Sequence, residues 1–240
     1  MDTSVFGPGV LLATSTKADG NMHFSYGERE AVVHNREAFL LRQGLTLGSC
    51  VVMQVEHGET ITVVDSAHKN TEVFAEALIT QEKSLALLLP TADCLPISLY
   101  DPKKKVVALA HLGWRPTSHR LVEKVIERLV NEFGSRPQNL LVHVGPSIHK
   151  ESYVFKELEQ KKLPLWAPYL HELQNGETQV DVVGYNVEQM LGKGVQEENI
   201  TVEPIDTATT LEYFSHYRSV RTNEPEGRFA TVLMMRSQAS

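Results

Sequence analysis

The sequence predicts an α/β fold, a single-domain layered sandwich of mixed β-sheet with flanking helices. Three observations carry this reading. Short, almost wholly apolar runs recur along the chain, and helical apolar faces alternate with them. No proline-rich or Gly/Ser-rich linker divides the 240 residues. Residues 1–240 are therefore read as one domain.

The elements follow in order. Residues 27–43 (GEREAVVHNREAFLLRQ) carry apolar side chains at helical spacing and stop at Gly44, a residue suited to the left-handed end of a helix. Residues 50–55 and 60–64 read as strands joined by a loop that holds His57. Residues 84–90 (SLALLLP) and 97–100 read as strands flanking a loop at Cys94. Residues 106–111 (VVALAH) read as a buried strand by their continuous apolar character. Between the last two, Asp101-Pro102 and Lys103 to Lys105 read as a solvated hairpin turn. Leu121, Val122, Val125, Ile126, Leu129, Val130 and Phe133 make one helical face, with Thr117 or Ser118 expected to cap its start and Gly134 its end. Residues 140–144 form the next strand and turn at Gly145-Pro146. Pro164 and Pro168 interrupt any long helix across the polar stretch 156–177. Residues 186–191 read as a short helix and 229–235 as a closing strand.

Composition excludes several classes. A net charge of −7 disfavours non-specific binding to nucleic acid or anionic membranes, which needs basic patches. No apolar run approaches the ~18 residues of a membrane span. Two cysteines, Cys50 and Cys94, are too few for a disulfide framework and point to a reducing compartment. The N-terminus, acidic at Asp2 and without an early Lys or Arg, is a poor secretory signal. The expected location is cytoplasmic, and the sequence leaves oligomeric state open.

Chemistry concentrates in Thr91-Ala92-Asp93-Cys94-Leu95-Pro96 and His111-Leu112-Gly113-Trp114-Arg115-Pro116. A thiol and an imidazole sit at the ends of neighbouring apolar runs, and His57 ends another. Two imidazoles and one thiolate match a catalytic zinc site, which uses three protein ligands and keeps a position open. The same residues equally suit a Cys-His pair for acyl chemistry. Arg115, where strand meets helix, reads equally as an anion contact for phosphate or as a surface or structural ion pair. Asp93 reads as a turn cap or as an orienter of a ligand histidine. Arg218 and Arg228 read as structural.

These two motifs resemble the YfiH family, also called laccase-domain or polyphenol oxidase-like proteins and regarded as purine nucleoside phosphorylases. Matching pieces run in family order: His57-Gly58, Ala75-Glu76-Ala77-Leu78-Ile79-Thr80, Val144-Gly145-Pro146-Ser147-Ile148, Tyr153, Phe214-Ser215-His216-Tyr217-Arg218 and Gly227-Arg228. The N-terminal ~45 residues match least well. Thr14-Ser15-Thr16-Lys17 is the nearest stretch to the family's Thr-x-Arg-x-Gly-Gly motif. Glu56 and Pro116 also depart from the pattern, the latter standing where the family has glycine.

The resemblance implies a YfiH-like sandwich related to CNF-toxin-like cysteine hydrolases. It implies His57, Cys94 and His111 as catalytic residues and metal ligands, with zinc as cofactor and copper as an alternative occupant. It implies purine nucleosides and phosphate as partners: phosphorolysis of adenosine, inosine, guanosine or methylthioadenosine, with adenosine deamination beside it. The competing readings are a copper-dependent polyphenol oxidase, a Cys-His hydrolase, and a catalytically silent nucleotide- or partner-binding protein. Multicopper oxidases use many histidines in His-x-His pairs, whereas the ten histidines here form none.

Overall fold

The computed structural model describes residues 4–237. The chain runs through β1 (Val10–Thr14), α1 (Arg29–Arg42), β2 (Cys50–Gln54), β3 (Ile61–Val63), β4 (Thr71–Phe74) and β5 (Ala77–Thr80). Then come β6 (Ala86–Thr91), β7 (Leu95–Asp101), β8 (Val106–Leu112), α2 (Trp114–Ser118), α3 (Leu121–Phe133) and β9 (Leu141–Val144). The last third holds β10 (Val154–Phe155), β11 (Leu170–Glu172), β12 (Thr178–Val180), α4 (Val182–Gly192), β13 (Ile200–Val202), α5 (His216–Thr222) and β14 (Phe229–Met235). No helix among the described residues is long and apolar enough to cross a membrane.

Two mixed sheets form the body, in strand orders β1-β14-β6-β2-β4 and β13-β9-β7-β8-β5-β3. They pack face to face, and side-chain alternation explains how. In β6, Leu87 and Leu89 point between the sheets, where Val51, Met53 and Leu233 meet Leu78, Val107 and Leu109 of the second sheet. Ala86 and Leu88 point the other way, against Phe39 and Leu40 of α1. The second sheet likewise buries Ile97, Leu99, Ala108 and Ala110 under Leu121, Val125, Ile126 and Leu129 of α3 and Met190 of α4. The layers are therefore helix, sheet, sheet, helix. Both faces of the central strands are covered, which is why they read as unbroken apolar runs. Each leucine so buried contributes about 1.5–3 kcal/mol relative to exposure.

Several expectations meet the structure closely. Gly44 (φ 73°) and Gly134 (φ 64°) end α1 and α3 in the left-handed conformation. The Asp101 carboxylate accepts from Lys103 N and Lys104 N in an exposed β7–β8 turn. One expectation fails. Thr117 and Ser118 do not cap α3 but belong to α2, and Arg120 (φ 57°) makes the break between the two helices. Their hydroxyls are used elsewhere: Asn186 Nδ2 donates to Thr117 Oγ1 at 2.8 Å, and Ser118 donates to the Trp114 carbonyl. Pro116 is the third residue of α2, a position with no intrahelical N–H bond to lose, so glycine is not required there.

A small third sheet, β10-β12-β11, and the turns Glu159–Lys162 and Pro164–Tyr169 make up most of the polar stretch. The proline-rich sequence there forms tight turns in place of an α-helix, as its prolines require.

Candidate functional site

His57, Cys94 and His111 converge. Their ligand-type atoms all lie within 4.8 Å of one another. His111 comes from β8, where the period of two that sends Val107 and Leu109 between the sheets sends it the same way at the strand's end. Cys94 lies in the β6–β7 loop and His57 in the β2–β3 loop. His57 takes a left-handed conformation (φ 61°), and its ring meets that of His111 edge-on at 5.3 Å. Gly113 leaves room for the sulfur, since a Cβ there would stand 2.8 Å from Cys94 Sγ.

Glu76 holds the group together. Its side chain is 1% exposed, and Oε2 lies 2.7 Å from His111 Nδ1. Oε1 accepts from Glu56 N at 2.7 Å and Gly58 N at 3.1 Å, so the same carboxylate clamps the His57 loop. The His111 backbone also donates to the Glu76 carbonyl. Engaging Nδ1 leaves Nε2 free to face Cys94. Burial alone would raise the Glu76 carboxyl, but His111 and the two backbone N–H groups bring it below its ordinary value. Sequence reasoning quoted this residue without giving it a role. The available signal was an acid within an apolar run, since a carboxylate buried there must be paired.

Charge couples the cluster. Burial pushes the Cys94 thiol up, but His111 and His57 pull it down to about 6. Burial pushes His111 down, while Cys94 and Glu76 raise it to about 9. Each group thus favours the charged form of the other, thiolate beside imidazolium. Cys50, also a free thiol, is raised to about 11 by burial and lies inside the core.

The donor set fits a metal. Two imidazoles and a readily formed thiolate converge, a carboxylate orients one imidazole, and His57 is exposed. This is a three-ligand arrangement with one side open.

Asp93 departs from both roles considered for it. Buried and left-handed (φ 74°), it accepts from the Thr207 hydroxyl and from Tyr217 N, each at 2.6 Å. It thus ties the Cys94 loop to the start of α5, while Glu76 orients the histidine. Arg218 is structural: buried, it donates to the carbonyls of Thr207 and Tyr213 and pairs with Glu224. Arg228 donates to the Tyr26 hydroxyl and pairs with Glu226.

A cavity of about 450 Å³ opens over His57 and Cys94, walled by Trp114, Arg115, Tyr153, Phe155, Gln160, Tyr217 and Arg221. Tyr153, Phe155 and Tyr217 stack edge to face at 4.8–5.8 Å. The Arg221 guanidinium lies 3.5 Å over the Tyr217 ring. Burial holds the Tyr153 hydroxyl well above its ordinary value, so it remains protonated. Arg115 lies at the cavity, its guanidinium 4.2 Å over the Trp114 ring and 4.0 Å from the Glu159 carboxylate. Because α2 has only five residues, attraction for an anion rests on the guanidinium and not on a helix dipole. Arg221 and Gln160 were not singled out from sequence; both lie where helical or strand periodicity carries no signal.

The fold and the cluster define a class: helix-flanked double-sheet proteins with an open His-Cys-His site. A family profile described as multi-copper polyphenol oxidoreductase laccase matches residues 12–236, and the chain belongs to this family. A purine nucleoside phosphorylase from Corynebacterium glutamicum is 29% identical over 213 residues, covering 88% of this chain and 84% of its own. Another from Streptomyces griseus is 30% identical over 200 residues, covering 82% and 80%. YlmD from Geobacillus stearothermophilus superposes with a TM-score of 0.85 at 25% identity over 96% of this chain and 93% of its own. YfiH from Bacillus licheniformis, at 21% identity and a TM-score of 0.86 over 95% and 93%, shares the fold.

Proposed function

We propose that the protein is a purine nucleoside phosphorylase acting on adenosine, inosine, guanosine or methylthioadenosine, with adenosine deamination as a companion activity. The observation that carries the reading is one cavity with His57 and Cys94 of the cluster on its floor and His111 buried beside them, aromatic rings on its wall and Arg115 at its edge. The names of the relatives agree with it.

Phosphorolysis forms a bond from a phosphate oxygen to ribose C1′ and breaks the C1′–N9 bond, whose electrons leave with the purine. Arg115 attracts the phosphate, bidentate in the manner guanidinium allows. Trp114, Tyr153 and Phe155 offer apolar faces to the base. Tyr153 lines the cavity, and burial keeps its hydroxyl protonated and so a potential donor. His57, Cys94 and His111 would hold zinc, with Glu76 fixing the His111 ring. When bound, zinc supplies Lewis acidity and a water whose pKa falls toward neutrality, the need of deamination at C6.

The test is chromatography of free base, ribose 1-phosphate and inosine after incubation with purine nucleosides, with and without phosphate. Phosphate-dependent release of base and sugar phosphate is expected, and folded Cys94→Ala protein should release neither. Unchanged turnover in that variant would sink the assignment.

Glu76 also favours a second reading. Cys94, His111 and Glu76 form a nucleophile, base and orienting carboxylate in the order a cysteine hydrolase uses. That chemistry predicts a trappable acyl-enzyme and indifference to chelators. A third occupant, copper, binds such donors more tightly than zinc. Phenol oxidation would then track loaded copper, measured as oxygen uptake by protein of defined metal content.

A further inference from the structure

We propose that Gln160 reads the 6-position edge of the purine, an inference that rests on the nucleoside reading above. Gln160 belongs to the turn Glu159–Lys162, whose geometry is held by Leu163 N donating to the Gln160 carbonyl at 2.9 Å. The residue is only 4% exposed, yet it lines the same cavity as Cys94 and His57. No described residue hydrogen-bonds its carboxamide, and neither amide atom is among the fully buried unpaired ones, so the group keeps contact with solvent. The residue lines the cavity, so an unpartnered carboxamide that keeps contact with solvent there is available to something that enters the cavity.

The chemistry of the group narrows what enters. A carboxamide presents an N–H donor and a carbonyl acceptor side by side. A purine edge presents the complement: adenine has a 6-amino donor beside a ring-nitrogen acceptor, and a 6-oxo purine has an acceptor beside N1–H. The same donor-beside-acceptor pattern lets Gln recognise adenine in nucleic acids, there at N6 and N7. Turning the amide by half a revolution exchanges donor and acceptor, so one residue serves both kinds of base. The neighbouring carboxylates do not share this property. Glu157 and Glu159 are exposed and only accept, and Glu159 is drawn toward Arg115. Trp114, Tyr153 and Phe155 then provide the ring faces while Gln160 provides the edge.

The alternative partner for the amide is a ribose hydroxyl, and the experiment separates the two. Full-length wild type, Gln160→Leu and Gln160→Met are compared on adenosine, inosine, purine riboside (which lacks a 6-substituent), and 2′- and 3′-deoxyadenosine. Two readouts are taken: kcat/KM with phosphate, and nucleoside affinity by quenching of tryptophan fluorescence. The expected result is a loss of roughly ten- to a hundredfold for adenosine and inosine in both variants. Purine riboside should lose at most a few-fold, and both deoxyadenosines should lose as much as adenosine.

Equal losses on all five nucleosides, or no loss on any, overturn the inference. So does a loss that disappears when one sugar hydroxyl is missing, which reassigns Gln160 to the ribose. If wild type binds nucleosides without turning them over, the phosphorylase reading fails and the affinity ratios alone decide the role of Gln160. If wild type binds none of them, both readings fall. Met preserves the length of the side chain, so a folding defect confined to Leu leaves the comparison intact.

Discussion

The floor and the wall of the cavity are built differently. The floor comes from strand ends and from two loops locked from behind: Glu76 binds His111 and the His57 loop, and Asp93 binds Thr207 and the start of α5. Every one of these contacts is a hydrogen bond made by a buried carboxylate. The wall comes largely from residues 153–160 and α5, held by edge-to-face rings, a cation over Tyr217 and exposed charges. The short β10–β12 pairing and a hydrogen bond from the Tyr217 hydroxyl to the Val154 carbonyl at 2.9 Å also hold it. The contrast teaches where each property resides. The cluster sits on a strand end and on two loops pinned by buried carboxylates. The wall sits on a short turn, a two-residue strand and α5, which can change with less disturbance of the core.

Glu76→Ala is the strongest way to break that contrast. It removes the acceptor of three hydrogen bonds from a buried, charge-paired position, a class of change that costs about 3–5 kcal/mol. It also frees the His111 ring, and loss of such an orienting carboxylate lowers metal affinity roughly 10–100-fold. Denaturant unfolding and zinc titration of the folded fraction measure the two losses. Glu76→Gln, which keeps one carbonyl acceptor, should fall between it and the parent. A stability loss no larger than that of the exposed Glu159→Ala would mean that floor and wall do not differ in this way.

The next effect is a pH profile in metal-free protein. With Cys94 near 6 and His111 near 9, the pair is thiolate and imidazolium between those limits. A thiol pKa below its ordinary value means that thiolate is lost only as pH falls through about 6. Iodoacetamide labelling of Cys94 should therefore rise with pH and be half-maximal near 6, while Cys50, buried and near 11, stays unlabelled. His111→Ala removes the main stabiliser of the thiolate, so the midpoint should move upward. A wild-type midpoint at the ordinary thiol value, roughly 8.5, would show that the pair does not form.

What the sequence disclosed follows from how each feature is encoded. Central strands, α3 and the Gly44 and Gly134 stops are written in local periodicity and in single residues with special backbone freedom, so they could be read directly. His57, Cys94 and His111 stood out because their side-chain chemistry is uncommon at strand ends. Their convergence was not legible from spacing, because β2 meets β6 by long-range pairing and β8, in the other sheet, meets them only where the two sheets pack. Glu76 and Gln160 escaped for a related reason. An acid within an apolar run marks Glu76 as buried and paired without naming its partner, which lies 35 residues away, and Gln160 carries no such local mark. The Thr117 and Ser118 assignment failed because a hydroxyl before an apolar helical face fits a cap, while here α2 occupies that stretch and α4 takes the Thr117 hydroxyl.

The smallest structural effect should come from Arg115→Ala, and that is what makes it informative. Its side chain is 52% exposed, that of its carboxylate partner Glu159 is 70% exposed, and the two charged groups are 4.0 Å apart. Such pairs contribute about 0–1 kcal/mol, so unfolding should shift within about 0.5 kcal/mol. If Arg115 attracts phosphate, KM for phosphate should still rise by roughly tenfold, the loss of one charge-assisted contact. KM for the nucleoside should hardly move. Glu159→Ala should act in the opposite sense, lowering KM for phosphate by freeing the guanidinium. A large stability loss in Arg115→Ala would place that residue with the floor. An unchanged phosphate KM in both variants would remove it from anion binding and leave Arg221 as the cation to test.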